Sequence, residues 1–508
     1  MTDTGGARLD PAQVDGLNDM DPETFRSAAH AVVDRIADYL ETIETHHVLP
    51  PVEPGSIAPL FPERAPELPE PLAEILADVD RLVVPNATHW QHPGFMAYFA
   101  TTASGPGMLG EFLTAALGQN PMLWRTSPIG TELETVVVAW LRDALGLPET
   151  FGGLLTDTAS TSSLIALAAA REACGLDAAA NGLVAPGRAG EPRVYASAEA
   201  HSSIEKACMT LGLGRVSVVK VPVNDDYEMD TDALAMAIEA DHTAGRCPVA
   251  IVATIGTTSS TSADAVGAIA DIAAREGVWL HVDAAYAGVV ALLPHRRAPF
   301  AGWERADSIV INPHKWLFTP LDASLLLTRR LDQLRAAFSL VPEYLRTLDR
   351  ANPVLDLNEY QPQLGRRMRA LKLWMLVRWF GLDGLRRRIE HHLDLAEQFA
   401  GWVDADPDWE RVAPVPFSTV CFRYRPRQFG GREEEGDVPD LLDDLNTRLM
   451  DAVNRSGEVF LSHTRLRNRF AIRLSVGNLR TEPRHVERAW ELLRAEAERL
   501  WSERGSNP

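Results

Sequence analysis

A lysine and an aspartate each follow an apolar run in the middle of the chain. Lys315 comes just after Ser308–Ile311, and Asp283 ends the run that starts at Trp279. A lysine at the end of a buried strand can be desolvated, which lowers its pKa and makes its amine reactive toward carbonyls. A carboxylate one strand away can keep a pyridine nitrogen protonated while the lysine bonds to the aldehyde of the same ring. The pair therefore predicts pyridoxal 5′-phosphate as the cofactor.

Each of the two residues alone has a simpler interpretation. A single lysine at the end of a strand usually lies in solvent, and Asp283 could cap a helix that starts at Ala284. Neither interpretation explains why both residues occupy the ends of apolar runs, so the pairing favours the cofactor.

Two further segments contain residue types that such a cofactor needs. The hydroxyl-rich segment Thr156–Ser163 precedes an Ala-rich helical stretch, and the N–H groups at the start of a helix bind phosphate. Ordinary helix capping accounts for this segment equally well. His201 follows the apolar run Arg193–Ala196 and can lie on the face of a conjugated ring. A single histidine is more often structural or exposed, so the value of His201 is its position after a strand.

The elements that must position these residues alternate between strands and helices. From Gly153 to Arg330, short β-branched or apolar runs alternate with Ala-rich helical stretches. This alternation predicts a mostly parallel sheet covered by helices on both faces, with ligands at the carboxyl ends of the strands. The runs begin at Arg193, Val216, Val249, Trp279, Ser308 and Ala323.

The two ends of the chain have other patterns. Apolar residues at helical spacing predict an amphipathic helix over Asp21–His46, and the eight prolines of Leu49–Pro71 predict an extended arm. Towards the C-terminus, a small α+β domain is expected. Its predicted elements are the strands Phe417–Tyr424 and Arg469–Ser475 and the helices Asp440–Val453 and Glu482–Arg504.

Composition excludes several classes of function. The chain has 508 residues and a formal net charge of −21, which disfavours binding to nucleic acid. No apolar stretch reaches the roughly eighteen residues that a membrane-spanning helix needs. The four cysteines show no CxxC spacing, so neither a disulfide framework nor a metal site is expected. A cytoplasmic enzyme with no membrane partner fits best.

Several ordered strings give the chain a family resemblance. It resembles the group II pyridoxal-phosphate-dependent amino acid decarboxylases, and most closely the aromatic-L-amino-acid decarboxylase branch. The match runs over nearly the whole chain, from Phe25 to Glu491. The strings that carry it include His89–Pro93, Ala97–Phe99, Thr131–Glu134, Ala200–Ser203, Val282–Gly288, Asn312–Trp316 and Leu364–Arg367.

The resemblance implies an α/β fold, the fold type I of pyridoxal-phosphate-dependent transferases, with a mostly parallel seven-stranded sheet. It also implies a homodimer whose active site lies at the subunit interface and whose N-terminal arm wraps the partner. The expected divisions are an N-terminal helical arm over residues 1–104, a large cofactor-binding domain over 105–371 and a small C-terminal domain over 372–508.

The resemblance also assigns residues to the cofactor. Lys315 matches the Schiff-base lysine, Asp283 the partner of the pyridine nitrogen, and His201 the histidine that stacks on the ring. The other positions that match the cofactor site are Thr158, Ala159, Ser160, Thr258, Ala285, Asn312 and His314.

The product of the reaction depends on which residue returns a proton to the substrate. Tyr344 matches the tyrosine on a mobile loop that delivers this proton in decarboxylases. Aldehyde-forming relatives typically carry phenylalanine at this position or lack the histidine at the position of His201. Both residues are retained, which favours a carboxy-lyase that releases an amine and carbon dioxide over an aldehyde synthase. A non-enzymatic cofactor-binding relative is a third alternative, disfavoured because Lys315, Asp283 and Tyr344 are intact.

The expected substrate is an aromatic L-amino acid. An apolar wall favours a flat aromatic side chain over glutamate, which would need a cationic partner. Gly365 leaves room for an indole, so tryptophan is favoured, with phenylalanine, tyrosine and dihydroxyphenylalanine as alternatives. The segment with Asn120 and Met122, which the family contributes from the partner subunit, is less apolar than in animal relatives. The residues that match the substrate pocket are Trp90, Tyr98, Phe99, Thr101, Asn120, Met122 and Gly365.

Overall fold

The apolar runs of the middle of the chain form one sheet. The computed structural model describes residues 9–17, 19–176, 178–183, 190–340, 354–432 and 435–505. The strands of this sheet are β1 (Gly152–Thr156), β2 (Pro192–Ser197), β3 (Val218–Val221), β4 (Cys247–Thr254), β5 (Trp279–Asp283), β6 (Ser308–Ile311) and β7 (Ser324–Thr328).

The order of the seven strands is β1-β7-β6-β5-β4-β2-β3. The pairings from β3 through β2, β4 and β5 to β6 are parallel, while β7 runs antiparallel to both β6 and β1. The expected mostly parallel seven-stranded sheet is therefore confirmed. Strand β1 was not predicted because it begins with two glycines. A Cβ on Gly153 would lie 2.2 Å from the carbonyl oxygen of Leu326, so only glycine allows this pairing.

Helices cover the sheet, and every residue of β5 and β6 is buried. In chain order the helices are α1 (Pro11–Asp15), α2 (Pro22–Glu41), α3 (Leu72–Asp78), α4 (Gly105–Leu117), α5 (Pro128–Leu145), α6 (Ala159–Ala173), α7 (Ala178–Asn181), α8 (Ser203–Thr210), α9 (Thr231–Thr243), α10 (Val266–Glu276), α11 (Pro313–Trp316), α12 (Leu331–Phe338), α13 (Ala370–Ala405), α14 (Val438–Arg455) and α15 (Pro483–Gly505).

The predicted N-terminal helix begins as expected and ends early. Asp21 caps α2 by accepting the N–H groups of Glu23 and Thr24 at 2.8 and 3.2 Å. The helix stops at Glu41 rather than His46, and a 3-10 turn follows over Ile43–Thr45. A similar turn at Arg215–Ser217 delays β3, which was expected from Val216.

A second, smaller sheet lies near the C-terminus. Its strands are β8 (Trp409–Arg411), β9 (Thr419–Tyr424), β10 (Ser462–Leu466) and β11 (Arg469–Ser475), all antiparallel in the order β10-β11-β9-β8. The small α+β region is confirmed, although only β9 and β11 were predicted.

The chain divides into two compact units. One contains residues 1–96, 447–461 and 480–508, and the other contains 97–446 and 462–479, with both sheets. The domain boundaries expected from the sequence stay predictions. Within the described part of the chain, no helix is both long and apolar enough to cross a membrane. The cytoplasmic location stays a prediction as well.

Candidate active site

The carboxyl ends of the parallel strands surround a cavity of about 220 Å³. Asp283 ends β5, and Lys315 follows β6 in the single turn of α11, so two adjacent parallel strands bring them to the same edge of the sheet. The cavity is lined by Phe99, Thr158, Ala159, Ser160, His201, Thr254, Gly256, Thr258, Asp283, Ala285, Tyr286, Asn312, His314 and Lys315. The structure therefore brings together the pair on which the cofactor prediction rests.

Lys315 lies in surroundings that suit a nucleophilic amine. Desolvation lowers the pKa of Lys315, and the negative charge of Asp283 acts in the opposite direction. Its Nζ lies 5.2 Å from the centroid of the Phe99 ring. A lowered pKa increases the neutral fraction of the amine, which is the form that attacks carbonyls.

Asp283 accepts a backbone N–H, and a buried hydrogen-bond network lies beside it on β5. Its Oδ1 accepts the N–H of Ala285 at 3.1 Å. Two residues earlier on the same strand face, the ring of His281 bonds to Ser308 Oγ at 2.9 Å and Ser163 Oγ at 3.1 Å. Burial lowers the pKa of His281 to about 4, so this ring stays neutral and positions the strand without adding charge.

The start of α6 provides an anion site in the cavity wall. Thr158 caps the helix, and its Oγ1 accepts the N–H of Thr161 at 3.4 Å. The N–H groups of Ala159 and Ser160 belong to the first turn, where no carbonyl within the helix can accept them. The helix dipole adds a partial positive charge at this end. These groups could hold a phosphate.

Two polar atoms in the cavity wall test whether a cofactor fits. Asn312 Oδ1 and Thr254 Oγ1 are buried and have no hydrogen-bond partner among the described residues. Buried polar atoms are rarely left unpaired, so a polar group in the cavity would satisfy them. The amine of Lys315 matches the aldehyde of pyridoxal phosphate, the carboxylate of Asp283 matches the ring nitrogen, and the N-terminus of α6 matches the phosphate. The two unpaired atoms offer further polar contacts to such a cofactor.

His201 lines the cavity in a defined tautomer. Its Nδ1 accepts the N–H of Ser203 at 3.1 Å and lies 2.9 Å from Ser203 Oγ, which leaves the proton of the neutral ring on Nε2. Desolvation by surrounding protein atoms lowers the pKa of His201, and Asp283 opposes this shift.

An aromatic stack forms one wall. The Phe99 ring lies 3.7 Å from that of Tyr286, centroid to centroid, and Tyr286 in turn stacks on Trp316 at 4.9 Å. The guanidinium carbon of Arg473 lies 5.3 Å from the Phe99 centroid. Arg473 Nε donates to the carbonyl of Ser259 at 2.8 Å, and the buried Nη2 has no hydrogen-bond partner in the described ranges. The sequence did not place Arg473 in the site, because an arginine on a strand is more often part of an ion pair.

Comparison with known proteins agrees with this geometry. The family model described as pyridoxal-dependent decarboxylase conserved domain matches residues 54–425. The chain is 40% identical to the phenylacetaldehyde synthase of Arabidopsis thaliana over 493 residues, covering 95% of this chain and 98% of that protein. It is 39% identical to tryptophan decarboxylase 2 of Oryza sativa subsp. japonica over 495 residues, covering 95% and 96%. The chain belongs to the pyridoxal-dependent decarboxylase family.

A solved structure extends the match to three dimensions. The crystal structure of Oryza sativa TDC with PLP and tryptamine aligns with a TM-score of 0.90 at 35% identity, covering 95% of this chain and 99% of that one. The fold is therefore fold type I, the cofactor of this decarboxylase is pyridoxal 5′-phosphate, and within the family it lies in the aromatic amino acid decarboxylase branch.

The residues predicted to bind substrate in this decarboxylase do not all lie at the cavity. Phe99 lines the cavity, whereas Tyr98, which has a positive φ of 50°, and Thr101 do not belong to its described lining. Trp90 lies in the other compact unit, where its ring stacks on Phe95 at 4.2 Å. Tyr344 lies outside the described residues. Their roles stay predictions.

Asn120, Met122 and Gly365 form a cluster of their own. Asn120 Nδ2 lies 3.6 Å from Met122 Sδ, and its Oδ1 accepts the N–H of Arg366 at 3.0 Å. A Cβ on Gly365 would lie 4.0 Å from Asn120 Nδ2. The three residues are absent from the described lining of the cavity, and their contact with substrate stays a prediction.

Sequence reasoning missed three residues of the cavity wall. Thr254 ends β4, so the rule that ligands meet strand ends could have found it. Gly256 has a φ of +88°, and a Cβ there would lie 2.7 Å from the Cβ of Ala287. Tyr286 lies in the segment Val282–Gly288, but its stacking on Phe99 depends on a tertiary contact that no local pattern shows.

Proposed function

We propose that this enzyme converts aromatic L-amino acids, with tryptophan favoured, into the corresponding amines and carbon dioxide. The observation that carries the proposal is the cavity in which Lys315, Asp283 and the start of α6 face the aromatic ring of Phe99. An amine, an acid and an anion site suit the cofactor, and an aromatic wall suits a flat substrate.

The chain's residues have distinct roles in this proposal. Bound pyridoxal phosphate supplies an electron-withdrawing ring that accepts the electron pair left at Cα when carbon dioxide departs. Asp283 would hold a proton on the ring nitrogen, and the desolvated amine of Lys315 would hold the cofactor through its aldehyde carbon. The first N–H groups of α6 would bind the phosphate, and the His201 ring would contact the cofactor.

Arg473 is the group that we assign to the substrate carboxylate. Its guanidinium lies at the Phe99 ring, is 3% exposed and has one nitrogen without a described hydrogen-bond partner. A guanidinium matches a carboxylate geometrically and would orient the bond that breaks. Tyr344 would donate the proton that replaces the carboxylate on Cα.

The proposal includes a homodimer. Helix α4 exposes Leu109, Phe112, Leu113 and Leu117, whose spacing places them on one helical face. Each of these side chains is at least 45% exposed, and an apolar face of this kind is typical of a subunit interface. Light scattering at several protein concentrations tests the dimer.

A product analysis tests the reaction and the substrate together. The purified holoenzyme is incubated separately with tryptophan, tyrosine, phenylalanine, dihydroxyphenylalanine and glutamate, and amine, aldehyde and carbon dioxide are measured by mass spectrometry. We expect amine and carbon dioxide in equal amounts from aromatic substrates and no product from glutamate.

The second candidate is an aldehyde synthase. The chain is 40% identical to a phenylacetaldehyde synthase and 39% identical to a tryptophan decarboxylase, so overall similarity favours neither product. Aldehyde with ammonia and hydrogen peroxide would establish this alternative and refute amine formation as the main reaction. Turnover of glutamate alone would refute the aromatic substrate.

A further inference from the structure

A second cavity, of about 380 Å³, lies at the opposite edge of the large sheet from the candidate active site. Because β7 is antiparallel to β6, its end at Thr328 lies beside Ser308 at the start of β6, and Trp279 starts β5 at the same edge. We call it the distal cavity. Trp279 is separated from Asp283 by the length of β5, which corresponds to about 13 Å.

Two arginines in the wall of the distal cavity share one carboxylate. Arg329 and Arg330 directly follow β7, and their nearest nitrogens lie 3.4 and 3.7 Å from Oδ1 of Asp307. Oδ2 of Asp307 accepts the N–H of Leu280 at 2.9 Å. Charge-assisted bonds normally measure about 2.7–2.9 Å, so both ion pairs are loose. The wall therefore has two cations against one carboxylate.

The other charged side chains around the distal cavity do not cancel this excess. Arg305 also lines it, and this guanidinium is paired with Asp271 at 2.8 Å. Asp332 lies 3.8 Å from Nε of Arg330, and its carboxylate side chain is 69% exposed. Water screens such an exposed charge strongly. Arg329 and Arg330 thus retain N–H donors for an anion, in a chain whose net charge is −21.

The remaining wall is largely apolar. It includes four alanines near the C-terminal ends of two helices, Ala170 and Ala173 on α6 and Ala273 and Ala274 on α10. The ring of Trp279 also lines it, and the guanidinium carbon of Arg330 lies 5.7 Å from the centroid of that ring. An alanine has no side-chain atom beyond Cβ, so these helices present a smooth surface. A planar apolar group can lie on such a surface while an attached anion reaches the arginines.

We propose that the distal cavity binds a small organic anion, a carboxylate attached to a flat apolar body. Arg329 and Arg330 bind the carboxylate, and the alanines contact the apolar body. This site does not depend on the proposed function, because none of its residues lines the candidate active site.

The test is calorimetric titration of the holoenzyme with 1-naphthoate and with the uncharged 1-naphthamide. We expect 1-naphthoate to bind and 1-naphthamide to bind at least about tenfold more weakly, because it lacks the charge. The double variant Arg329→Gln/Arg330→Gln should bind 1-naphthoate more weakly than the wild type by a similar factor. Arg275→Gln is the matched control, since Arg275 lies on α10, is 59% exposed and pairs with Glu276.

A second variant blocks the distal cavity without changing its charge. Ala274 is exposed in the last turn of α10, so Ala274→Trp should fold and fill the cavity entrance. We expect it to abolish 1-naphthoate binding while cofactor absorbance and melting temperature stay unchanged. Absence of binding to the wild type, equal binding of 1-naphthamide, or binding that survives both variants would each overturn the proposal. The last result would place the ligand in the active site instead.

Discussion

The amine of Lys315 lies over the aromatic ring of Phe99, with Nζ 5.2 Å from the ring centroid. The guanidinium of Arg473 approaches the same ring to 5.3 Å. An aromatic face attracts cations, so Phe99 helps to hold the guanidinium of Arg473 while it forms the cavity wall beside the Lys315 amine. This ring therefore connects the proposed cofactor lysine with the proposed carboxylate site.

Phe99→Leu tests that connection. Loss of a ring that interacts with a cation and stacks on Tyr286 removes about 0.5–1.5 kcal/mol per contact. We expect KM for the aromatic substrate to rise up to about tenfold, with cofactor absorbance retained. Steady-state kinetics measure the change, and Phe61→Leu, which changes an exposed ring, serves as control. An unchanged KM would remove Phe99 from the substrate pocket.

Lys315→Ala tests the role of the desolvated amine. Without it, borohydride should no longer fix the cofactor covalently to the chain, and turnover should fall by several orders of magnitude. Mass spectrometry after reduction and a product assay measure the two effects. Lys206→Ala, at an exposed lysine in α8, should leave both unchanged. Activity that survived Lys315→Ala would exclude Lys315 as the catalytic lysine.

Asp283→Asn keeps the shape of the side chain and removes its charge. The proposed ring nitrogen would lose the group that holds its proton, so we expect nearly complete loss of turnover and weaker retention of the cofactor. Dialysis followed by absorbance measures retention. Asp225→Asn, at a side chain that is 99% exposed, is the control. Full activity of Asp283→Asn would contradict the assignment.

The sequence revealed those parts of the site that depend on strand ends. Lys315 and Asp283 could be placed because each follows a visible apolar run, and parallel strands bring such ends together. Arg473 could not be placed, because its approach to Phe99 depends on how β11 packs and not on any local pattern. Strand β1 was missed for a related reason, since Gly152 and Gly153 have no apolar side chains to form a pattern.

Tyr344→Phe tests the proposed proton donor. Removal of the hydroxyl should divert product from amine toward aldehyde, because Cα would no longer receive its proton from this residue. Cofactor binding should remain intact, and mass spectrometry of the products gives the ratio. Unchanged amine output would show that another group delivers the proton.

The buried His392 makes the free energy of unfolding depend on pH. Its Nδ1 accepts the indole N–H of Trp316, the neighbour of Lys315, at 2.9 Å. Burial lowers the pKa of His392 to about 3, against 6.5 for the free side chain. Between these values the unfolded chain binds a proton that the folded chain does not. The stabilising contribution of His392 is therefore complete above about pH 6.5 and declines as pH falls toward 3.

His392→Asn removes this titration and keeps an oxygen acceptor for the indole N–H of Trp316. Each such proton changes the free energy of unfolding by about 1.4 kcal/mol per pH unit, so the variant should lose less stability than the wild type between pH 6.5 and 4. Urea unfolding across this pH range measures the slope. The exposed His30 provides the control His30→Asn, which should keep the wild-type slope. Equal slopes in all three proteins would show that His392 does not contribute to acid unfolding.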